Sequence, residues 1–349
     1  MKNFLLFLLI SIAIALKSAA CTTFFIRKDG QMVFGRNYDW ITATGMVCTN
    51  LRGLQKTSMP TPDGKTIDWV SEYSSITFNQ YGKEFPNGGM NEKGLVVELM
   101  WLDGTKYPKA DNRPAINVLQ WIQYQLDRSA TVDDVIASDK VVRITGKGTP
   151  LHYLVADGAG HVATIEFLDG KMVVHRGKEL PFAVLTNSTY DASIAQTKAS
   201  ANNRAFADNS IDRFAKACNM VQQYELQDIN TPVVDYAFNI LNKVSQNDWT
   251  KWSIVYDITH KKISFKSHGY GEIKTIGFSS FDFSCSSSPK MFNINQPGKG
   301  DVSNSFKNFS IAESRPLVEV AISESKAEVN ISDETTQAIL NYTKEIRCR

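Results

Sequence analysis

Residues 21–40 read CTTFFIRKDGQMVFGRNYDW, and they contain the clearest structural signal in the chain. Two apolar runs, Thr22–Arg27 and Met32–Asn37, flank the polar group at 28–31, which holds Asp29-Gly30. An Asp-Gly pair between two β-rich runs is typical of a β-hairpin, because both residues tolerate positive φ. We therefore predict an antiparallel hairpin that brings Cys21 close to residues 36–40.

The residues before this hairpin read MKNFLLFLLISIAIALKSAA. They combine a basic start at Lys2, an apolar core over Phe4–Leu16 and small residues at Ser18 and Ala20, which is the pattern of a secretory signal peptide. The core is shorter than the ~20 residues that a membrane-spanning helix needs. We expect cleavage after Ala20, a mature chain that begins at Cys21, and a secreted or periplasmic location.

Cys21 directly after a signal peptide has two common interpretations. A lipoprotein is acylated on this residue, but that route prefers an aliphatic residue three positions earlier, where Ser18 stands. The other interpretation is an N-terminal nucleophile, whose own α-amine, with a pKa of ~7.7–8.0, accepts the thiol proton. The thiolate would then attack a carbonyl and form a thioester that water resolves.

Composition excludes some classes of function. The chain has 349 residues with 38 Lys+Arg and 36 Asp+Glu, and removing Lys2 and Lys17 with the leader leaves 36 of each sign. This balance argues against a nucleic-acid partner, which normally requires a basic excess. No CxxC, HExxH or His/Cys cluster occurs, so we predict neither a metal nor a cofactor.

Apart from Cys21, the chain has four cysteines: Cys48, Cys218, Cys285 and Cys348. They permit three full disulfide pairings, and the sequence does not choose among them.

The remaining strands and helices follow from periodicity. Further strands are predicted at Gly94–Trp101, Leu151–Ala156, His161–Leu168, Met172–His175, Phe182–Asn187, Ser253–Ile258, Ile263–Lys266 and Thr275–Phe283. Helical stripes occupy 116–126, 131–136, 211–221 and 231–241, with Thr131 and Thr231-Pro232 as starts. Alternating blocks of strands and helices favour an α+β protein with antiparallel sheets covered by helices. Residues 284–310 are predicted to form a long loop.

Five short blocks stand out along the chain: Cys21-Thr22-Thr23-Phe24, Gly35-Arg36-Asn37-Tyr38-Asp39-Trp40, Gly89-Met90-Asn91-Glu92-Lys93-Gly94-Leu95, Leu185-Thr186-Asn187-Ser188 and Asp212-Arg213-Phe214. In this order they resemble the choloylglycine hydrolase family, which includes bile salt hydrolases and penicillin V acylases. Members of that family are N-terminal nucleophile hydrolases. The resemblance extends from Cys21 to about residue 283 and leaves 310–349 outside.

The resemblance implies a four-layer αββα fold over a single hydrolase domain at 21–349, following the leader at 1–20. It also implies a role for each matched residue. Cys21 is the nucleophile and its α-amine the base, Arg36 supports the thiolate, and Asp39 orients the amine. The Asn187 side chain is an oxyanion-hole donor, and Arg213 supports the site electrostatically.

The chain departs from the family pattern in two places. Trp101 stands where the Gram-positive enzymes carry an Asn, which resembles the Gram-negative branch, and its backbone N–H is then the expected oxyanion donor. Trp40 resembles the aromatic acyl pocket of that branch. Only 26 positions separate Asn187 from Arg213, which shortens a loop that typical members use in tetramer assembly. A dimer is therefore favoured over a tetramer.

The leading hypothesis is a hydrolase of linear non-peptide amides with an apolar acyl group. Conjugated bile salts, penicillin V and N-acyl homoserine lactones all fit this description. A related amidase or acyltransferase for N-acylethanolamines or ceramides is the first alternative. A non-catalytic surface lipoprotein acylated on Cys21 is the second, because acylation would remove both the free thiol and the free amine.

Overall fold

The computed structural model describes residues 21–200 and 210–349, with the side chains of 198–200 left aside. The predicted signal peptide at 1–20 lies outside the described residues, so the leader and its cleavage stay predictions. Within the described ranges no helix is both long and apolar enough to cross a membrane.

Two large sheets, antiparallel except at one edge, organise the fold. In spatial order the first consists of β14 (Val184–Leu185), β1 (Thr22–Lys28), β2 (Gln31–Asp39), β15 (Thr250–Asp257), β16 (Lys262–Ser267), β17 (Tyr270–Gly277) and β19 (Gly300–Asp301). The second consists of β13 (Lys171–Arg176), β12 (Val162–Leu168), β11 (Leu151–Ala156), β8 (Val96–Trp101), β7 (Pro86–Asn91), β6 (Ser75–Asn79), β3 (Met46–Asn50), β18 (Lys290–Asn293) and β20 (Lys307–Asn308).

Short strands and the helices complete the architecture. A parallel pair is formed by β9 (Ala115–Ile116) and β10 (Arg143–Ile144), and a three-stranded sheet by β21 (Arg347–Cys348), β4 (Leu54–Thr57) and β5 (Asp68–Val70). The helices are α1 (Val118–Arg128), α2 (Val132–Ala137), α3 (Tyr190–Ser200), α4 (Ser210–Leu226), α5 (Val233–Lys243), α6 (Ile311–Glu324) and α7 (Asp333–Asn341).

The two large sheets face each other and helices cover their outer sides. Phe78 on β6 packs against Tyr256 on β15 and Phe265 on β16, with ring centroids 6.1 and 5.5 Å apart. Helices α4 and α5 pack on the first sheet, and α1 packs on the second. This is the four-layer αββα sandwich that the resemblance implies, and the α+β prediction is confirmed.

The hairpin prediction is also confirmed. Asp29 and Gly30 have φ values of 51° and 78°, so both adopt the left-handed conformation that a tight hairpin turn requires. The register pairs Thr23 with Arg36 and Thr22 with Asn37. Cys21 therefore precedes β1 at the edge where β2 ends in Asp39.

Several boundaries differ from the predictions. The strand expected at Phe182–Asn187 is only Val184–Leu185, because the Thr186 carbonyl and the Asn187 N–H turn to His152 and Ser210 instead of a neighbouring strand. The strand expected at Thr275–Phe283 runs over Tyr270–Gly277, and a 3₁₀ turn at Phe278–Ser280 ends it. Helix α5 begins at Val233 after Pro232, and no side-chain hydrogen bond caps it, so the expected cap by Thr231 is wrong.

The segment 284–310, predicted as a long loop, contains three short strands, β18, β19 and β20, between stretches largely without regular structure. Lys290–Asn293 pairs with Met46–Cys48 of β3, since Met291 and Phe292 carry apolar side chains that the sheet buries. Residues beyond 310 form α6 and α7, which pack on the outer face of the second sheet. A disulfide joins Cys285 to Cys348 and ties the chain end to this region, while Cys21, Cys48 and Cys218 are free thiols.

Candidate active site

A cavity of about 330 Å³ opens where the two large sheets end beside Cys21. It brings together four of the predicted site residues: Cys21, Asp39, Trp40 and Trp101. Further wall residues come from β2, the β6–β7 loop, β8, α1, the 147–151 segment and the C-terminal region: Tyr38, Tyr81, Asn87, Leu99, Val118, Leu119, Lys147–Leu151 and Glu328–Ile331. The lining is mostly apolar, which suits an apolar acyl group.

The Cys21 thiol is almost fully buried at the bottom of this arrangement. Its Sγ–H donates to the carbonyl oxygen of Asp39, with a separation of 3.8 Å. Burial raises the pKa of the thiol, while the charge of Arg36 acts to lower it. Arg36 is thus the cation whose charge acts to lower the pKa of this thiol, and its role in catalysis stays a prediction.

Arg36 is itself held inside the protein by a buried ion pair. Its Nη1 pairs with the Glu98 carboxylate on β8 and donates to the carbonyl oxygen of Asn87 at 2.9 Å. Glu98 also accepts the Tyr256 hydroxyl. A Cβ at Gly88 would overlap the Glu98 carboxylate, so glycine there makes room for the pair. Within the described ranges, Nε and Nη2 of Arg36 have no hydrogen-bond partner.

Asp39 carries the most unusual carboxylate of the site. It is fully buried, and neither oxygen has a hydrogen-bond partner among the residues that the structure describes. Burial raises its pKa to about 7, although the charge of Arg213, the nearby Thr250 hydroxyl, and the charges of Arg36 and Lys251 oppose the shift. An unpartnered buried carboxylate is costly, and a cation placed beside it would relieve that cost.

Arg213 and Asn187 form a second layer behind Cys21. Arg213 Nη1 donates to the Cys21 carbonyl oxygen and to the Thr22 hydroxyl, both at 2.6 Å, and Nη2 donates to Asn187 Oδ1 at 3.2 Å. Asn187 Nδ2 in turn donates to the Trp101 carbonyl oxygen at 2.9 Å. Asn187 is not among the described residues that line the cavity, so its oxyanion-hole role stays a prediction.

A buried histidine, His152, helps to position the chain segment that carries Asn187. His152 Nε2 lies 2.7 Å from the Thr186 carbonyl oxygen, and Nδ1 lies 3.2 Å from Glu166 Oε1. Because a carbonyl oxygen only accepts, Nε2 carries a proton. His152 is therefore a structural support for this segment and not a partner of the thiol.

Aromatic side chains form one wall of the cavity. Trp40 and Trp101 lie with ring centroids 5.9 Å apart. Trp40 Nε1 donates to the Tyr81 hydroxyl at 2.7 Å, and Trp101 Nε1 donates to Asp103 Oδ1 at 2.6 Å. The placement of both tryptophans at one pocket agrees with the sequence expectation.

Three contributions were missed at the level of sequence. Glu98 is the lone charge in the apolar run Gly94–Trp101, and a lone charge in a buried strand indicates a buried ion pair. Tyr81 and the Glu328–Ile331 segment had no comparable signal. The Gly89–Leu95 block is structural here: Asn91 bonds the carbonyl oxygens of Leu126 and Ser129 and closes the turn before β8.

Comparisons with known proteins agree with this geometry. Residues 21–203 match the family model described as "Linear amide C-N hydrolases, choloylglycine hydrolase family". A penicillin V acylase of Pectobacterium atrosepticum is 32% identical over 199 residues, which are 51% of this chain and 52% of that protein. The match thus spans about half the length of that relative.

Solved structures show the same fold. The penicillin V acylase of Agrobacterium tumefaciens superposes with a TM-score of 0.72 at 25% identity, covering 83% of this chain and 98% of that one. A variant of the conjugated bile acid hydrolase of Clostridium perfringens superposes with a TM-score of 0.67 at 16% identity, covering 80% and 98%. At that identity the second likeness concerns the fold alone.

Proposed function

The chain belongs to the choloylglycine hydrolase family of linear amide C–N hydrolases, and from this premise we propose that the mature enzyme uses Cys21 as an N-terminal nucleophile. The observation that carries the proposal is the buried, unpartnered carboxylate of Asp39 next to Cys21. Cleavage after Ala20 would turn the Cys21 peptide nitrogen into an amine. A protonated amine would give Asp39 a hydrogen-bonded cation, which none of the described residues supplies.

The reaction then runs in two halves. The α-amine takes the thiol proton, and the thiolate attacks the amide carbonyl of the substrate. The C–N bond breaks, the leaving nitrogen takes the proton back from the ammonium, and the acyl group remains on Cys21 as a thioester. Water then adds to the thioester while the amine accepts its proton. The C–S bond then breaks, the carboxylic acid leaves, and the ammonium returns its proton to the Cys21 sulfur, which restores the thiol and the free amine.

The surrounding residues have separate roles in this scheme. Arg36 stabilises the thiolate, and Asp39 holds the amine in place. Arg213 fixes the Cys21 carbonyl and the orientation of the Asn187 amide. The second hydrogen of Asn187 Nδ2 and the backbone N–H of Trp101 are the proposed donors to the oxyanion, a type of contact that is worth ~3–4 kcal/mol where it has been measured.

The cavity favours a compact acyl group. Its volume of about 330 Å³ is at the low end of the ~300–1,000 Å³ range of small-molecule pockets. Together with the neighbouring Trp40 and Trp101 rings, this size suits an aryloxyacetyl group such as that of penicillin V, or a medium-length acyl chain. The rigid steroid of a conjugated bile salt fits the volume less well.

The decisive experiment compares two chains that differ by one residue. Both are released from a cleavable fusion, one beginning at Cys21 and the other at Ala20. The second keeps every side chain of the site but moves the amine by one residue, ~3.8 Å along the backbone. We expect penicillin V hydrolysis, measured as phenoxyacetic acid release, only from the chain that begins at Cys21. Equal rates would refute the N-terminal mechanism.

We further propose that the enzyme is secreted or periplasmic. The Cys285–Cys348 disulfide supports this placement, because such bonds persist in oxidising compartments. The intact mass of the exported protein tests it and the lipoprotein alternative together. A mass equal to residues 21–349 with an alkylatable Cys21 is expected, whereas added glyceryl and fatty acyl groups would overturn the catalytic proposal.

A further inference from the structure

The C-terminal region forms part of the cavity wall although it lies beyond the stretch 21–203 that the family model matches. Helices α6 and α7 are joined by a turn, and four consecutive residues of that turn line the cavity that contains Cys21. We call these residues, Glu328–Ile331, the C-terminal wall. Val329 and Ile331 supply its apolar side chains, and both are half-buried.

The C-terminal wall contacts the apolar part of the cavity. Val329 packs against the core between the two large sheets, as Trp101 does. Ile331 belongs with Leu119 to the clusters beneath α6 and α7, and Leu119 also lines the cavity. The wall therefore faces the end of the pocket where an apolar acyl group would lie.

Hydrogen bonds hold the wall from its N-terminal side. The Tyr81 hydroxyl donates to Ser325 Oγ at 2.9 Å and accepts from Trp40 Nε1 at 2.7 Å. The backbone N–H groups of Glu328 and Val329 donate to the Ser325 carbonyl oxygen at 3.0 and 2.9 Å. One polar chain thus connects Trp40 of the acyl pocket to the turn that carries the wall.

Contacts made by residues that follow α7 anchor the C-terminal wall on its C-terminal side. Tyr342 donates its hydroxyl to the Thr57 carbonyl oxygen at 2.7 Å and packs on Phe85, with ring centroids 5.4 Å apart. Strand β21 pairs with β4, and the disulfide joins Cys348 to Cys285. Because it is anchored at both ends, the wall has a defined position before substrate binds, which pre-organises the pocket.

We propose that the C-terminal wall is a specificity determinant that sets the depth of the acyl pocket. The inference rests on the proposed amide hydrolysis at Cys21. A side chain of Ile331 or Val329 that limits the pocket excludes longer acyl chains and makes close contact with short ones. A single methylene in an apolar pocket changes kcat/KM by about 10–200-fold, so truncating either residue should redirect the chain-length preference.

A series of N-acyl p-nitroanilides from butanoyl to dodecanoyl tests this, since the leaving group is constant. We expect Ile331→Ala and Val329→Ala each to raise the dodecanoyl-to-butanoyl ratio of kcat/KM by about tenfold or more. Ile331→Trp should lower the ratio. The control is Val320→Ala on α6, where the side chain is 43% exposed and away from the cavity, and its ratio should match wild type.

Two failures are distinguishable in this design. If the wild-type chain that begins at Cys21 hydrolyses no member of the series or penicillin V, the proposed function is wrong. If it hydrolyses the series but the ratio is the same in wild type, Ile331→Ala, Val329→Ala and Ile331→Trp, the wall does not set specificity. Thermal unfolding of each variant excludes loss of fold as the cause, and Ile331→Val provides a milder truncation that should shift the ratio in the same direction.

Discussion

Asp39 and Glu84 are both buried carboxylates, yet their pKa values move in opposite directions. Burial raises the pKa of Asp39 to about 7, because the opposing charges of Arg213 and Arg36 do not outweigh the loss of solvent. Burial also acts to raise the pKa of Glu84, but Lys56 and Lys83 outweigh it and lower the value to about 2. Burial therefore favours the protonated form of Asp39 up to about pH 7, whereas the two lysines keep Glu84 ionised.

The two carboxylates belong to clusters with different purposes. The support cluster consists of Lys56, Lys83, Glu84 and Asp127, with N···O distances of 2.5 to 2.8 Å. It holds Glu84 at a positive φ of 73° and joins β4, the β6–β7 loop and α1. The site cluster consists of Arg36, Asp39 and Glu98, and it leaves donors and acceptors unpaired beside Cys21.

Comparing the two clusters shows that, among the residues that the structure describes, polar side-chain atoms are left without hydrogen-bond partners beside Cys21 and not in the support cluster. Pairing a buried charge serves stability, and removing one partner is strongly destabilising. Unpaired polar atoms at a cavity are instead typical of groups that bind something the folded chain does not supply. The predictions below separate the two behaviours, beginning with the largest expected effect.

The largest expected effect is the loss of activity on replacing the Cys21 thiol, compared with replacing a buried thiol elsewhere in the core. Cys21→Ala removes the nucleophile, and we expect kcat to fall by on the order of 10⁴-fold or more. The matched control is Cys48→Ala, because Cys48 is also a buried free thiol, with a pKa raised by burial to about 12. Comparable activity losses in both variants would contradict the assignment.

Breaking the support cluster should affect stability without affecting chemistry. Lys56→Met leaves Asp127 and Glu84 without their shared cation, and we expect the free energy of unfolding to fall by ~3–5 kcal/mol. Urea unfolding measures the loss. At a temperature where the variant is folded, kcat should stay within about threefold of wild type, and a large fall in kcat there would show that the clusters are coupled.

Neutralising Asp39 should lower activity strongly and stability only slightly, which is the opposite of the effect expected for Lys56→Met. Asp39→Asn in the chain that begins at Cys21 removes the partner that positions the α-amine, and we expect kcat/KM to fall by up to ~10²–10⁴-fold, because proton transfer by the amine is worth about that much. Stability should fall far less than in Lys56→Met. An Asp39→Asn enzyme with wild-type kcat/KM would remove Asp39 from the mechanism.

The last expected effect is a difference in the pH dependence of stability, with a slope of up to ~1.4 kcal/mol per pH unit. In the chain that begins at Ala20, folded Asp39 binds a proton up to about pH 7, whereas it releases it near 3.8 when unfolded. Stability therefore falls as pH rises through this window, and Asp39→Asn should abolish the fall.

The contribution of Glu84 to the free energy of unfolding should change with pH in the opposite direction to that of Asp39. Its folded pKa of about 2 lies below its ordinary 4.5, so its contribution is present above pH 4.5 and is lost as pH falls toward 2. The destabilisation caused by Glu84→Gln should therefore shrink in that acid window. Urea unfolding of both variants across pH measures the two slopes, and slopes of the same sign would break the comparison.

Local features of the chain were predictable from the sequence. The Asp29-Gly30 turn, the meander after residue 150 and the Thr131 capping box with Asp134 involve contacts between residues close in the chain. The hairpin register also brings Arg36 and Asp39 beside Cys21. These elements were accessible because residue type and spacing alone specify turns, strand pairing and helix starts.

Contacts between distant segments were not accessible in this way. The Arg36–Glu98 pair joins facing sheets, the Cys285–Cys348 disulfide was one of several open pairings, and the Tyr81–Ser325 hydrogen bond spans 244 positions. The hydrophobic periodicity of a sequence does not indicate which distant segments come into contact after folding. The order of motifs was enough to identify the hydrolase family, whereas the unpaired state of Asp39 and the wall at Glu328–Ile331 depend on how packing excludes water and brings remote segments to one cavity.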